Sequence, residues 1–197
     1  MRVTFIGDSI TDAGRDRADP GSFGDGYVSL LAPGLIAEGA VVRNLGVAGD
    51  RAADLEARWG VDLLPTRPEL LTVYVGINEV WRRFDSDDPT PTAVFEQTYR
   101  GLLERAVQAC APRLVLMEPY LLPVRPEQRA WLDELEDKRA AVARLAAEFD
   151  AVRVPLHDVL ARAAEGRDPA GLAPDGVHPT PAGSRLIAGA WTSAVRH

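Results

Sequence analysis

The residues best suited to chemistry in this chain stand near its two ends. Phe5-Ile6-Gly7-Asp8-Ser9-Ile10-Thr11 carries a short apolar run into a glycine and then a serine. Glycine lets the backbone turn sharply, so Ser9 projects from the carboxyl edge of whatever sheet the run joins. Alone the pattern says little, because serine after a buried strand is most often a cap or turn former. Its counterpart is Asp175-Gly176-Val177-His178-Pro179-Thr180. A carboxylate three residues before a histidine, across a glycine-containing turn, can reach the ring Nδ1–H. It then fixes the tautomer and favours the imidazolium formed on proton transfer. Read alone, Asp175 is equally well a turn residue and His178 a loop or cap residue. Read together, the two ends supply a nucleophile, a base and an orienting acid, the ingredients of acyl transfer.

The histidine list is short: His157, His178 and His197. His157 follows Val154-Pro155-Leu156 and reads as a structural residue opening a short helix with Asp158, while His197 is terminal. Acyl transfer also needs donors aimed at the oxyanion of the tetrahedral intermediate, each worth about 3 kcal/mol in the transition state. Asn44-Leu45-Gly46-Val47-Ala48-Gly49-Asp50 offers Gly46, where a bare backbone N–H can approach a substrate. Val75-Gly76-Ile77-Asn78-Glu79 offers the Asn78 amide. A flexible turn at Gly46 and an Asx-turn at Asn78 are the structural alternatives.

These groups need a scaffold that gathers four distant segments. Apolar runs at 3–6, 41–44, 70–75, 113–117 and 152–154 are rich in Val, Leu and Ile without clean alternation. That suits strands buried on both faces of a parallel sheet. Helical spacing fills 93–109, through Phe95, Tyr99, Leu102 and Ala106, and 127–149, through Trp131, Leu135, Val142 and Leu145. Pro126 stands where a helix start tolerates a missing N–H. A shorter helix is expected after Asp50, capped by its carboxylate, and a last one over 181–195. Strand and helix alternate throughout, so right-handed crossovers give one three-layer α/β/α domain over 1–197, with a five-stranded parallel sheet. The irregular stretches 76–91, 118–126 and 166–179 fall at its borders, where such proteins build sites.

Composition narrows the partners. Among 197 residues, 29 acidic against 22 basic side chains give a net charge of -7. That field repels phosphate backbones, and no Lys/Arg stripe reverses it, so nucleic acid is excluded as a partner. Cys110 is the only cysteine, which rules out an intrachain disulfide and argues against a cysteine-based zinc site. No apolar stretch reaches membrane-spanning length, so no membrane insertion is expected. No signal peptide is visible before the first strand-like run, so a cytoplasmic location is the expected default, with secretion left open for a chain whose signal has been removed. A homo-oligomer stays open.

Taken in order, these blocks resemble the SGNH (GDSL-type) serine hydrolase family. Gly7-Asp8-Ser9-Ile10-Thr11 is similar to its first block, Gly46 within NLGVAGD to its second, Gly76-Ile77-Asn78 to its third, and Asp175 with His178 to its last. The resemblance implies a flavodoxin-like sheet and a triad of Ser9, His178 and Asp175. It also implies an oxyanion hole from Ser9 N–H, Gly46 N–H and Asn78 Nδ2, with no metal or organic cofactor. Two departures stand out: Glu79 replaces the usual aspartate, and Ile10-Thr11 replaces the usual leucine. The second resembles the compact bacterial branch that holds carbohydrate deacetylases and small-ester esterases.

The reaction implied is hydrolysis of a small acyl ester through an acyl-enzyme, with an acetyl group on a sugar favoured. A thioesterase or lysophospholipase is the enzymatic alternative, and a catalytically silent α/β binding protein the other. A P-loop phosphate site is disfavoured, since the first block lacks the lysine and glycine spacing. Trp81 is expected to offer an apolar platform, or equally to plug its loop onto the domain. Arg82 is expected to hold a polar or anionic group, and Tyr120 to form a second wall. Asp8, besides bracing the turn beside Ser9, joins Glu79 and Val177 in this substrate-binding set.

Overall fold

The five apolar runs become five strands: β1 (Arg2–Gly7), β2 (Val41–Gly46), β3 (Leu70–Tyr74), β4 (Arg113–Met117) and β5 (Val152–Val154). The computed structural model describes residues 1–196, and His197 lies outside the described residues. All neighbouring strands pair in parallel, in the order β2-β1-β3-β4-β5. β3 is central and buried along its whole length, whereas edge strand β2 alternates between buried and part-exposed positions. The chain leaves β1 to one side for β2 and returns to its other side for β3. The loops after β1 and β3 therefore diverge, opening a crevice at the carboxyl edge.

Helices cover both faces. On one lie α2 (Tyr27–Ala37), α7 (Leu156–Ala164) and α8 (Pro181–Val195), packed on Phe5, Tyr74, Val115 and Met117. On the other lie α3 (Ala52–Arg58), α5 (Thr92–Cys110) and α6 (Leu132–Glu148), packed on Ile6, Leu71, Val73 and Leu116. Each such buried aliphatic or aromatic side chain contributes about 1.5–3 kcal/mol relative to exposure. Trp191 of α8 is tied to the sheet by its Nε1–H, which donates to Thr72 Oγ1 at 2.9 Å. Among the described residues no helix is long and apolar enough to cross a membrane.

The helix expected over 127–149 divides. A tight turn over Pro126–Trp131 precedes α6, and the Gln128 side chain accepts the N–H groups of Val124 and Arg125 there. Asp50 does not cap α3. Its carboxylate accepts from Arg58 Nε at 2.7 Å, and the Ala52 N–H goes instead to Glu79 Oε1 at 2.7 Å. Besides a single turn after β1, two helices among the described residues have no counterpart in the sequence reading: α2, which contains Pro33, and α4 (Ile77–Asp85), which fills the first half of an expected loop. Exposed Leu30 and Ile36 blur the apolar period of α2.

Candidate active site

Ser9 is placed by its neighbour. Asp8 Oδ1 accepts the Ile10 N–H at 3.0 Å and starts α1, a single turn over Ser9–Asp12. Ser9 is thus the first residue of a capped turn at the carboxyl end of β1, and its own N–H meets no acceptor among the described residues.

His178 is placed by a turn that Asp175 organises. Asp175 Oδ1 accepts the N–H groups of Val177 at 2.9 Å and His178 at 2.7 Å. Gly176 sits at φ +89, and a Cβ there would stand 2.7 Å from the Leu122 carbonyl oxygen, so only glycine fits. The loop after β4 holds this turn from the other side. Leu122 N–H donates to Gly176 O at 2.8 Å, Gln128 Nε2 to Asp175 O at 2.6 Å and Tyr120 OH to Val177 O at 2.5 Å. The imidazole then spans the gap between the chain ends. Its Nδ1 lies 2.6 Å from Asp175 Oδ2 and its Nε2 lies 2.9 Å from Ser9 Oγ. Burial pushes the Asp175 carboxyl up, but bonds from the His178 ring, the His178 N–H and the Val177 N–H outweigh it and hold the group below its ordinary value.

Trp81, on α4, stands against the imidazole with ring centroids 5.7 Å apart. Its other side meets Trp131 at 5.9 Å, and Phe84 stacks on Trp131 at 5.3 Å. Trp81 is therefore a part-exposed wall beside the base rather than a free platform. The Arg82 guanidinium is paired with Asp85 at 2.8 Å.

The oxyanion side departs from expectation at one glycine. The buried Gly46 N–H donates to Asn44 Oδ1 at 2.9 Å, so it is already committed. A Cβ at Gly46 would stand 2.2 Å from the Asp12 nitrogen, and close packing explains that glycine. The amide without a protein acceptor in this loop is that of part-exposed Gly49. Asn78 Nδ2 donates one hydrogen to Asp50 O at 2.9 Å, which leaves its second hydrogen free. Arg58 links the pieces: Nε reaches Asp50 Oδ2 at 2.7 Å and Nη2 reaches Gly7 O at 3.3 Å. Nothing in the sequence spacing singled out Arg58, Asn44 or Gly49.

Four residues of the expected substrate-binding set lie beneath the surface. Asp8, Glu79 and Tyr120 are fully buried and Val177 nearly so, which removes all four from contact with substrate. Asp8 caps α1, Glu79 holds the start of α3, and Tyr120 and Val177 lock the histidine turn. Asp8 Oδ2 and Glu79 Oε2 have no hydrogen-bond partner among the described residues. Burial pushes Asp8 up to about 8 and Glu79 up to about 7. The folded chain therefore holds protons that the unfolded chain has released, and stability falls as pH rises from the ordinary carboxyl range through about 8. Asp8→Asn is expected to flatten that decline, read as Tm measured from pH 5 to 8.5. A slope equal to the parent's would place the titration elsewhere.

Ser9 and His178 open into a cleft of about 250 Å³ whose walls include Ile10, Asp25, Gly26 and Pro179. A larger apolar groove of about 370 Å³ between α2 and α8, beside Met1 and Leu70, does not touch them.

Known proteins share this fold. A family model described as the GDSL-like lipase/acylhydrolase family matches residues 5–186. The chain is 31% identical over 201 residues to an acetylxylan esterase of Geobacillus stearothermophilus, across 96% of this chain and 91% of that protein. The crystal structure of Axe2, an acetylxylan esterase from that organism, superposes with a TM-score of 0.91 at 30% identity, covering 100% of this chain and 94% of the other. LAE5, an alpha/beta hydrolase enzyme from the metagenome of Lake Arreo, gives 0.90 at 31%, covering 99% and 94%. Solved catalytic mutants of Axe2 replace a serine, an aspartate and a histidine by alanine, the aspartate three residues before the histidine. Asp175 and His178 have that same separation, and the matched region spans both them and Ser9; the chain belongs to the GDSL-like lipase/acylhydrolase family.

Proposed function

We propose that this carboxylic-ester hydrolase removes acetyl groups from the hydroxyls of a carbohydrate, through an acetyl-enzyme on Ser9. The observation that carries the reading is the unbroken chain Ser9 Oγ–His178 Nε2, His178 Nδ1–Asp175 Oδ2, with contacts of 2.9 and 2.6 Å. His178 Nε2 takes the Ser9 proton as Oγ attacks the ester carbonyl, and the charged Asp175 stabilises the imidazolium that results. The oxyanion accepts from Ser9 N–H, Gly49 N–H and the free hydrogen of Asn78 Nδ2. Collapse breaks the ester C–O bond while His178 returns its proton to the departing alcohol. Water, deprotonated by the same imidazole, then attacks the acyl-enzyme and releases acetate. Trp81 packs beside the imidazole, tilted 53° to it at 5.7 Å between ring centroids, and limits its swing on that side.

The small volume of the cleft beside Ser9 and His178 supports a small ester. The acetylxylan esterase relatives support a sugar as the alcohol. The test is acetate release from acetylated xylooligosaccharides, together with kcat/KM for 4-nitrophenyl acetate and octanoate. Deacetylation, with acetate preferred at least about tenfold over octanoate, is the expected outcome. No acetate release, with octanoate preferred, would turn the assignment towards lipids. A fluorophosphonate should label Ser9 and no other residue.

A further inference from the structure

We infer that Asp25 is a specificity-determining residue: its carboxylate admits esters whose alcohol portion is neutral or cationic and turns away those whose alcohol portion is anionic. The inference rests on the Ser9 cleft being the esterase site and adds the charge of the substrate it takes. Asp25 lies two residues before α2, and its N–H donates to Ala13 O at 2.9 Å, at the end of the turn that Ser9 begins. That bond fixes the exposed Asp25 on the wall of the same cleft as Ser9 and His178. No lysine or arginine lines this cleft.

The nearby guanidinium groups are engaged elsewhere. Arg15 donates to Gly46 O, Arg17 is paired with Asp12, and Arg82 and Arg83 are paired with Asp85 and Glu134. Asp12 shows the contrast: it is buried and takes Arg17 and the Ala48 N–H. The Asp25 side chain enters no ion pair and no hydrogen bond among the described residues. Its acceptors remain available to the hydroxyls of a sugar or to a cationic group, through charge-assisted bonds. The departing alcohol lies on this side, since His178 Nε2 must hand it a proton and His178 is a wall of the cleft. A phosphate or sulfonate carried by that alcohol meets an uncompensated like charge. In a partly solvated cleft a single charge of this kind shifts kcat/KM by about three- to tenfold. Thioester carriers and lysophospholipids whose leaving group bears a net negative charge are therefore disfavoured.

The experiment compares acetylcholine with its uncharged isostere 3,3-dimethylbutyl acetate, using the full chain and reading the ratio of kcat/KM. The parent is expected to favour the cation about three- to tenfold, Asp25→Asn to bring the ratio close to one, and Asp25→Lys to invert it. A ratio rather than a rate cancels any loss of folded protein. The same ratio is read from inhibition of 4-nitrophenyl acetate hydrolysis by choline and by 3,3-dimethylbutan-1-ol, so slow turnover of either ester does not remove the measurement. A parent ratio of one, or a preference that survives in Asp25→Asn, overturns the assignment. Loss of the esterase reading would instead show as 4-nitrophenyl acetate hydrolysis that does not depend on Ser9.

Discussion

Ser9→Ala is expected to lower kcat on 4-nitrophenyl acetate by at least about 10⁴-fold while leaving Tm within a degree or two of the parent. The substitution deletes one oxygen from a part-exposed position whose only side-chain hydrogen bond among the described residues is with His178. Alanine fits the first position of α1, because the Asp8 cap acts on Ile10 and not on Ser9. Stability and rate are thus separated at this residue, which makes the comparison informative. Asp175→Asn is expected to cost a similar factor for a different reason. The amide cannot accept from Nδ1–H while also accepting both backbone N–H groups and stabilising imidazolium as a charge would. The two losses should not multiply, since the triad acts as a unit. A double variant much slower than Ser9→Ala alone would show that Asp175 serves some second purpose, and an active Ser9→Ala enzyme would remove the mechanism.

What the sequence made legible follows from the range over which each signal acts. The strands were readable because doubly buried β-residues are Val, Leu and Ile whatever their neighbours are; β4 and β5 fall on the expected residues. α5 and α6 were readable because one face of each meets solvent. α4 was not, since its first turn is wholly buried and reads as loop chemistry in Gly76-Ile77-Asn78-Glu79. At the site, spacing within a turn carried far: Asp175 and His178 need only three residues of chain to meet. The same local logic failed at Gly46, where one glycine in NLGVAGD packs against α1 while the other presents an amide. The position of Asn44 Oδ1 and the closeness of α1 tell them apart. Burial was also invisible. Asp8, Glu79 and Tyr120 are polar residues beside catalytic ones, and nothing in their types says that they brace from beneath rather than line the surface. Asp25 and Arg58 belong to no local pattern at all, because what matters for each is which charges the fold does or does not bring alongside.

Asn78→Ala is expected to lower kcat by about 10²- to 10³-fold with KM changed much less, because the deleted hydrogen bond strengthens only as the carbonyl oxygen becomes charged. A purely structural role predicts another pattern. The amide also donates to Asp50 O, and losing that bond costs about 1 kcal/mol of stability without a selective effect on kcat. Asn78→Asp separates the two. It keeps the shape but replaces both donors by acceptors and turns a negative charge towards the forming oxyanion, so its kcat should fall at least as far as that of alanine. If a structural role prevailed, the two variants would instead share a loss of Tm and retain most of their turnover per folded molecule. The three proposed donors come from the ends of β1, β2 and β3, and the fold does not leave their agreement to chance. Arg58 holds the carbonyl of Gly7 and the carboxylate of Asp50, while Asn78 holds the carbonyl of Asp50. A ring of contacts thereby runs from the nucleophile's strand through the Gly49 loop to α4. An Asn78→Ala deficit well beyond 10³-fold would mean that breaking this ring at one point displaces the other two donors as well. Arg58→Gln should then reproduce part of the deficit while leaving Asn78 in place.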